Sequence, residues 1–313
     1  MGRVGPAADR FLPGPIRASR GVHSLPGGSL HGWEGAARST VAVGLYINLM
    51  KRALTRTGFE DNSFAEVRGR RWLRHLVEPV QRLLARRDLR LVRPSSHPTT
   101  GRAGFAPLNA ETMLGIPELD NLQFCIERVL ADDVPGDLIE TGVWRGGATI
   151  FMRAVLAAYG VTDRTVWVAD SFQGLPPSTH EADVSDGLGW ETFDEFRVPL
   201  DTVRANFDRY GLLDDQVRFL PGWFKDTLPN APFSQLAVAR LDGDLYVSTW
   251  EALTSLYPRL SPGGFLIIDD YKLPACAKAI HDYRDAHGIT DPIEQIARGA
   301  VFWRKSDATL IDA

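Results

Sequence analysis

The stretches LAVARLDGDLYVST (residues 236–249) and GGFLIIDDY (residues 263–271) decide the fold of this chain. Each has an apolar run typical of a β-strand that leads directly into acidic residues. Between these runs, residues 249–260 carry apolar side chains at helical spacing, and S-P-G-G at 261–264 predicts where that helix stops. The order strand–helix–strand predicts two parallel neighbouring strands whose carboxyl ends share one edge of a sheet.

Four carboxylates are expected at this edge, those of Asp242, Asp244, Asp269 and Asp270. Like charges so close together are unfavourable unless a positive group lies among them. A hard divalent cation is the simplest such group, because it prefers oxygen ligands. The two strand ends therefore predict a metal site.

Strands and helices alternate through the whole core, which begins near Met113. Strands are predicted over residues 137–141, 165–170, 216–220, 236–241 and 265–268, with a terminal hairpin over 293–297 and 300–304. Helices are predicted over residues 119–130, 148–159, 249–260 and 278–287, with a helical region ending at Tyr210. This alternation predicts an α/β fold with a mostly parallel, doubly wound sheet and an antiparallel last strand.

The part of the chain before this core divides into two predicted regions. Residues 1–38 are rich in Gly, Pro, Arg and Ser without periodicity and are predicted to be a disordered tail. Residues 39–112 are predicted to form a helical lid region, with helices over 41–55 and 72–87 and a flexible segment over 94–104. Pro79 is expected to kink or split the second helix. Residues 113–313 then form the main domain.

Composition excludes several functional classes. The 313 residues are 44% hydrophobic with a formal net charge of -4, which argues against nucleic acid as a partner. The chain contains no apolar run of about 18 residues, so no membrane partner is expected. Its two cysteines, Cys125 and Cys276, are far apart in sequence and suggest reduced thiols in a cytoplasmic protein.

The loop after the first core strand, ETGVWRGG at 140–147, suggests a cofactor site. Gly142 permits a sharp turn and the close approach of a ligand, while Gly146 and Gly147 let the next helix begin near it. Trp144 occupies the place of the second glycine in a dinucleotide fingerprint, which disfavours an NAD-binding oxidoreductase. Asp170 ends the second strand, where a carboxylate can accept both hydroxyls of a ribose. Together these features indicate an adenosine-containing cofactor.

Several long motifs resemble the macrocin O-methyltransferase family: GDLIETGVWRGG (136–147), VADSFQGLP (168–176), VRFLPGWFKDTLP (217–229), RLDGDLY (240–246) and GGFLIIDDY. The similarity runs from about Leu45 to Lys305. It implies the Rossmann-like sheet of class I methyltransferases and two cofactors, S-adenosyl-L-methionine and Mg²⁺. It also implies methylation of a sugar hydroxyl on a secondary metabolite, macrolide-like or aminocoumarin-like, with a small glycosylated acceptor as the partner.

The resemblance also implies roles for individual residues. Asp242, Asp269 and Asp270 are expected to hold the metal. Asp244 is expected to be the general base, with Asp242 counted beside it as catalytic. The residues expected at the cofactor are Glu140, Thr141, Gly142, Arg145, Gly146, Asp170, Ser171, Trp223, Phe224 and Asp242.

Some of these assignments have alternatives. Asp244 could support the metal site instead of acting as the base. Ser171 could only cap the following turn, and Trp223 and Phe224 could be core residues. Tyr246 could face substrate or merely pack.

Two positions depart from the family pattern: Val247 stands where a glutamate is usual, and Glu111 stands where a histidine is expected, in a segment predicted near the active-site entrance.

Three functional alternatives remain beside the sugar O-methyltransferase. The same chemistry could act on a phenol, a catechol or another non-sugar hydroxyl. An NAD-binding oxidoreductase and a non-catalytic binding protein derived from a methyltransferase are the other two. A homodimer or a higher homo-oligomer is expected, with the N-terminal helices as its contact surface.

Overall fold

A computed structural model of the chain describes residues 32–57, 59, 64–66, 74–87, 89, 91–94, 110–186, 196–297 and 299–306. Its helices are α1 (Gly32–Thr55), α2 (Arg74–Ala85), α3 (Ile116–Ala131), α4 (Gly147–Ala158), α5 (Glu181–Asp186), α6 (Leu200–Arg209), α7 (Phe224–Thr227), α8 (Tyr246–Leu256) and α9 (Pro274–Ala286). Its strands are β1 (Phe64–Glu66), β2 (Val92–Pro94), β3 (Asp137–Thr141), β4 (Val166–Asp170), β5 (Val217–Pro221), β6 (Leu236–Leu241), β7 (Leu260–Ile268), β8 (Glu294–Gln295) and β9 (Val301–Arg304). A 3₁₀ turn, Tyr257–Arg259, joins α8 to β7.

Seven of these strands form one sheet in the order β5-β4-β3-β6-β7-β9-β8. The first five are parallel, and β9 pairs with both of its neighbours in antiparallel fashion. This confirms the predicted α/β sheet and its antiparallel end. The carboxyl ends of β3, β4, β6 and β7 therefore lie along one edge, as the sequence required.

Helices cover both faces of the sheet, because its strands are apolar on both sides. Side chains of α1, α3, α4 and α6 pack on one face, with sheet residues such as Val168 and Val238. Side chains of α8 and α9 pack on the other face, with sheet residues such as Trp167 and Ala239. Successive strand residues point to opposite faces, so each polar residue near a strand end is assigned to one face by its position.

The start of β7 differs from the prediction. The strand begins at Leu260, and the S-P-G-G run predicted to stop the helix lies inside it. The register between β6 and β7 shifts between Leu236 and Val238, which accommodates the extra residues. Gly263 adopts φ +78 and its amide donates to the carbonyl of Lys305, so the glycine serves an irregular strand instead of a helix end.

The N-terminal helices also differ from their predicted bounds. α1 begins at Gly32, earlier than the predicted helix over 41–55, and α2 is continuous through Pro79. Pro79 is the sixth of the twelve residues of α2, so the proline does not split the helix although it removes one backbone hydrogen bond there. Residues 1–31 and 95–109, which include most of the predicted tail and of the segment predicted to be flexible, lie outside the described residues.

α1 packs against the core through one face and leaves another face exposed. Lys51 is buried and lies 2.5 Å from Asp120 of α3, whereas the stripe of Val41, Leu45 and Leu49 is exposed. The homo-oligomer stays a prediction. Among the described residues, no helix combines the length and the apolar content that crossing a membrane requires.

Candidate active site

A cavity of about 1360 Å³ lies at the carboxyl edge of the sheet. The ends of β3, β4, β6 and β7 form its floor, and residues near α2, including Leu89 and Leu91, form part of its wall. Eleven of the predicted site residues line it: Glu140, Gly142, Arg145, Asp170, Ser171, Trp223, Phe224, Asp242, Asp244, Asp269 and Asp270. These residues therefore lie together at one cavity, and their individual roles stay predictions.

Thr141 and Gly146 are not among the residues that line the cavity. Thr141 is fully buried, and strand alternation turns it to the face opposite Glu140. A Cβ at Gly146 would lie 2.8 Å from Cγ1 of Val203. Gly146 thus permits the start of α4 to pack closely on α6, and no cofactor contact is needed to explain it.

The predicted metal ligands lie together. Asp242, Asp269 and Asp270 each offer a carboxylate oxygen, and these three oxygens lie within 4.8 Å of one another. Asp269 and Asp270 are buried, while the Asp242 side chain is partly exposed to the cavity. Three carboxylate oxygens form a donor set that suits a hard divalent cation such as Mg²⁺, with positions left for other oxygens.

A buried arginine lies among these acids, and sequence reasoning missed it. Nη1 of Arg240 lies 2.5 Å from Oε1 of Glu140 and 2.8 Å from Oδ2 of Asp242. Its Nη2 lies 2.5 Å from Oδ1 of Asp269. The signal was present in RLDGD, because Arg240 interrupts an apolar strand two residues before Asp242 and so points to the same side. The positive group required by the acid cluster is therefore already supplied in part by the chain.

Burial controls the ionisation of Glu140. Burial raises the pKa of Glu140 to about 7, opposed by the attraction of Arg240 and reinforced by the charge of Asp242. Glu140 and Arg240 are paired residues on adjacent strands β3 and β6. The cofactor loop and the acid cluster consequently share one buried ion pair.

Asp170 is held at the cavity by backbone amides. Its carboxylate accepts hydrogen bonds from the amides of Val143 (2.7 Å) and Phe172 (2.6 Å). Burial raises the pKa of Asp170 to about 6, although these hydrogen bonds favour the ionised form. The carboxylate is thus oriented beside the loop predicted to bind the cofactor.

Strained backbone surrounds the cavity. Trp144, Phe172 and Asp244 all have left-handed φ angles (+51, +56 and +57), and each follows a different strand of the sheet. Non-glycine residues adopt this conformation at an energetic cost and are common at functional sites.

Gly142 has the predicted sharp turn, with φ +83, but its close neighbour is protein backbone. A Cβ here would lie 1.8 Å from the carbonyl oxygen of Asp242. The approach of the Asp242 backbone is thus a further reason for glycine at this position, which also lines the cavity. Gly142 allows the ends of β3 and β6 to approach, which brings the cofactor loop beside the metal ligands.

Arg145 and Ser171 support loops at the cavity wall. Arg145 donates to the carbonyl of Ala110 at 3.0 Å and lies 4.3 Å from the centroid of the Trp144 ring. The Ser171 hydroxyl donates to the carbonyl of Gly174 and accepts from the amide of Gln173. The turn-capping interpretation of Ser171 is thus observed, at a residue that also lines the cavity.

Glu111 faces away from the cavity. It is buried, pairs with Arg209 at 3.1 Å and accepts a hydrogen bond from the Tyr210 hydroxyl at 2.8 Å. The residues that follow it, 112–114, do line the cavity. The segment is at the site as predicted, but Glu111 itself anchors that segment to the end of α6.

A second residue missed from the sequence is Asp183 of α5. It is fully buried and accepts hydrogen bonds from the amides of Tyr246 (2.5 Å) and Val247 (3.3 Å), the first residues of α8. The Tyr246 ring stacks on His180 at 3.9 Å, and its hydroxyl donates to Asp282. Tyr246 therefore packs outside the cavity, while Val247 lines it.

Comparisons with known proteins agree on one family. A sequence model of the family described as macrocin-O-methyltransferase (TylF) matches residues 43–305. A Streptomyces olivaceus enzyme, 8-demethyl-8-(2,3-dimethoxy-alpha-L-rhamnosyl)-tetracenomycin-C 4'-O-methyltransferase, is 54% identical over 85% of this chain and 94% of its own length. Mycinamicin III 3''-O-methyltransferase of Micromonospora griseorubida is 59% identical over 64% of this chain and 80% of its own length. The solved structure of the O-methyltransferase NovP is 44% identical, with a TM-score of 0.71, over 85% of this chain and all of that one.

Proposed function

Because this chain belongs to the macrocin O-methyltransferase family and is an S-adenosylmethionine-dependent O-methyltransferase, we propose that it methylates a hydroxyl of a sugar attached to a secondary metabolite, with Mg²⁺ at its acid cluster. Family membership excludes the oxidoreductase alternative. The observation that carries the proposal is the contact between Gly142 and the backbone of Asp242, since it joins the cofactor loop to the proposed metal ligands in one cavity.

The shape of the cavity supports a glycosylated acceptor. Its volume of about 1360 Å³ exceeds the roughly 300–1,000 Å³ usual for a small-molecule site, which suits a cofactor and a large acceptor together. One part of the wall is apolar, with Leu89, Leu91, Leu175, Pro176 and Pro177. The floor is acidic. An acceptor with a polar sugar at the floor and an apolar aglycone at the wall matches this division.

The relatives point to the same acceptor class. The Streptomyces olivaceus enzyme is named for a rhamnosyl tetracenomycin and the Micromonospora griseorubida enzyme for mycinamicin III. The aglycone of this chain's own acceptor could differ from those of the relatives, because Val247, one of the two departures from the family pattern, lines the cavity.

The chemistry assigned to the chain's residues follows from their positions. When bound, S-adenosylmethionine supplies an electrophilic methyl group, and Mg²⁺ lowers the pKa of the acceptor hydroxyl. Asp170 would accept the ribose hydroxyls, with Trp223 and Phe224 beside the adenine. Asp244 would take the proton of the acceptor as general base. Two observations support this role: Asp244 lines the cavity and has a left-handed backbone conformation, with φ +57.

The cofactor and metal sites keep separate roles in this proposal. Glu140, which lines the cavity, would lie beside the cationic cofactor. Asp242, Asp269 and Asp270 would hold Mg²⁺ through oxygen atoms that lie within 4.8 Å of one another. The shared edge of the sheet brings the two sites together, so the acceptor hydroxyl can be oriented toward the methyl carbon.

The test is methyl transfer from radiolabelled S-adenosylmethionine to matched acceptors. Pairs of a glycosylated macrolide or aminocoumarin and its aglycone, together with a catechol, are assayed with Mg²⁺ or with EDTA. Transfer to the glycosides alone, lost in EDTA, is the expected result. Transfer to the aglycones or to catechol at equal rates would contradict the sugar assignment, and full activity in EDTA would contradict the metal.

A further inference from the structure

One cation already lies inside the proposed metal site, the guanidinium of Arg240. It contacts two of the three proposed ligands, Asp242 at 2.8 Å and Asp269 at 2.5 Å. Its third carboxylate partner is Glu140 of the cofactor loop, at 2.5 Å. The Arg240 side chain is only 2% exposed. A guanidinium at this depth is therefore held by the acids that the metal would use.

The strand geometry explains this placement. Arg240 lies on β6 directly opposite Glu140 of β3 and beside Ile267 of β7. Strand alternation directs Arg240 to the same side as Asp242. An arginine side chain stays protonated in proteins, so a full positive charge lies between the carboxylates of Glu140, Asp242 and Asp269. The guanidinium is charged and belongs to the acid cluster.

We infer, on the basis of the metal site in the proposed function, that Arg240 is a positioning residue that competes with the divalent cation for the carboxylates of Asp242 and Asp269. In the metal-free protein it keeps these acids paired, because buried carboxylates without a counter-charge destabilise a fold. A divalent cation held by the same acids would be repelled by the positive guanidinium of Arg240. Arg240 thus makes the fold independent of the metal and lowers the affinity for the metal, so that the ion exchanges readily.

The test compares wild type with Arg240→Met and Arg240→Lys. Thermal midpoints are measured in EDTA and in MgCl₂, and Mg²⁺ affinity is measured by isothermal titration. For Arg240→Met, we expect a lower midpoint in EDTA, a larger rise with Mg²⁺ than in wild type, and a Mg²⁺ Kd at least about tenfold lower. Arg240→Lys keeps the charge and should retain wild-type metal affinity within a few-fold.

A merely structural arginine would give a different pattern. A folded Arg240→Met protein whose lost stability Mg²⁺ does not restore, or whose Mg²⁺ affinity is equal to or weaker than that of wild type, would overturn the inference. If Arg240→Met does not fold in EDTA, the double variant Arg240→Met/Glu140→Gln removes the buried acid that is not a metal ligand. The Mg²⁺ Kd of this double variant should likewise be at least about tenfold lower than that of wild type, and an equal or weaker affinity would overturn the inference.

The outcome for wild type separates this inference from the proposed function. Wild-type protein that binds no Mg²⁺ would overturn the metal site and, with it, the competition. Wild-type protein that binds Mg²⁺ while Arg240→Met binds it no better would leave the metal site intact and overturn the competition alone.

Discussion

Gly142 and Asp242 touch through their backbones: a Cβ at Gly142 would lie 1.8 Å from the Asp242 carbonyl oxygen. The amide of Asp242 also donates to the carbonyl of Thr141 at 2.9 Å. The cofactor loop and the first proposed metal ligand are therefore parts of one rigid junction between β3 and β6. Any side chain at position 142 must separate the two strands or distort this junction.

Gly142→Ala should lower the free energy of unfolding by at least about 3 kcal/mol, because a positive φ and a backbone clash act together. Gly160→Ala is the matched control. Its φ is +64 and nothing lies within 4 Å of the added Cβ, so only the conformational cost of about 1–2 kcal/mol remains. Chemical denaturation of both variants measures the difference. Equal losses of unfolding free energy in the two variants would mean that the Asp242 backbone can move away from the added methyl group at no energetic cost.

Cofactor affinity should depend on pH through Asp170, whose pKa burial raises to about 6. The ribose hydroxyls need the ionised carboxylate, so protonation of Asp170 should raise the Kd for S-adenosylhomocysteine as the pH falls through about 6. Glu140, whose pKa burial raises to about 7, adds its own pH dependence in every variant that keeps it. The stability contribution of Asp170 has the opposite sign. The pKa of Asp170 is higher in the folded protein than in the unfolded chain, so protonation of this residue stabilises the fold. This stabilisation is fully present below the ordinary aspartate pKa of 3.8 and is lost as the pH rises through about 6.

The control for this titration is Asp170→Asn, which cannot ionise. Its affinity for S-adenosylhomocysteine should be weaker at pH 7.5 and should lose the part of the pH dependence centred near 6, while the part due to Glu140 remains. Isothermal titration across this range measures both proteins. A wild-type Kd that stays constant down to pH 5 would show that Asp170 does not receive the ribose.

Asp270→Asn should remove Mg²⁺ binding and preserve cofactor binding. Asp270 offers one of the three converging carboxylate oxygens, and a neutral amide in its place should weaken Mg²⁺ by at least about tenfold. S-Adenosylhomocysteine should bind within a few-fold of wild type, since its expected partners follow β3, β4, β5 and β6 and do not include Asp270. Separate titrations with each ligand measure this.

Asp215→Asn is the matched control for Asp270→Asn, because Asp215 is fully exposed on the surface. It should leave both affinities unchanged. Loss of cofactor binding in Asp270→Asn, with the protein still folded, would mean that the two sites cannot be assigned to separate residues.

Asp183→Ala should lower the free energy of unfolding by about 2 kcal/mol, because it removes the cap from the first two amides of α8. Methyl transfer should also fall, since Asp244 and Val247 stand at that end of α8 in the cavity. Glu181→Ala, an exposed change on the same short helix, should be neutral within about 0.5 kcal/mol. Denaturation and initial rates of both variants are compared. Similar losses in the two would rule out the capping role.

Some features of the fold were available from local sequence. β3 and β6 have the predicted bounds, because apolar runs that end in acids or glycines mark buried parallel strands clearly. The first residues of α1 and β7 could not be predicted in this way. The start of β7 depends on a register shift against β6, and a shift of register is a property of two strands together.

The residues of the candidate site also differ in whether local sequence could predict them. Asp170, Asp242, Asp269 and Asp270 could be predicted, since each directly follows or ends a recognisable strand and parallel strands bring their carboxyl ends to one edge. Local sequence put Arg240 on the same side of its strand as Asp242 but did not give its other partners, and it gave no signal for Asp183. The partners of Arg240 lie on β3 and directly after β6 and β7, and those of Asp183 lie 63 and 64 residues away in sequence.

The sequence by itself determined the order of strands and helices, the family and the acids at the strand ends, because these depend on local residue pattern and spacing. The tertiary structure alone decided which charges are paired. It set a guanidinium between Glu140, Asp242 and Asp269 and turned Glu111 away from the cavity toward Arg209 and Tyr210. The physical reason is that a buried charge must find its counter-charge in space, and the folded arrangement of strands and helices determines which one lies within reach.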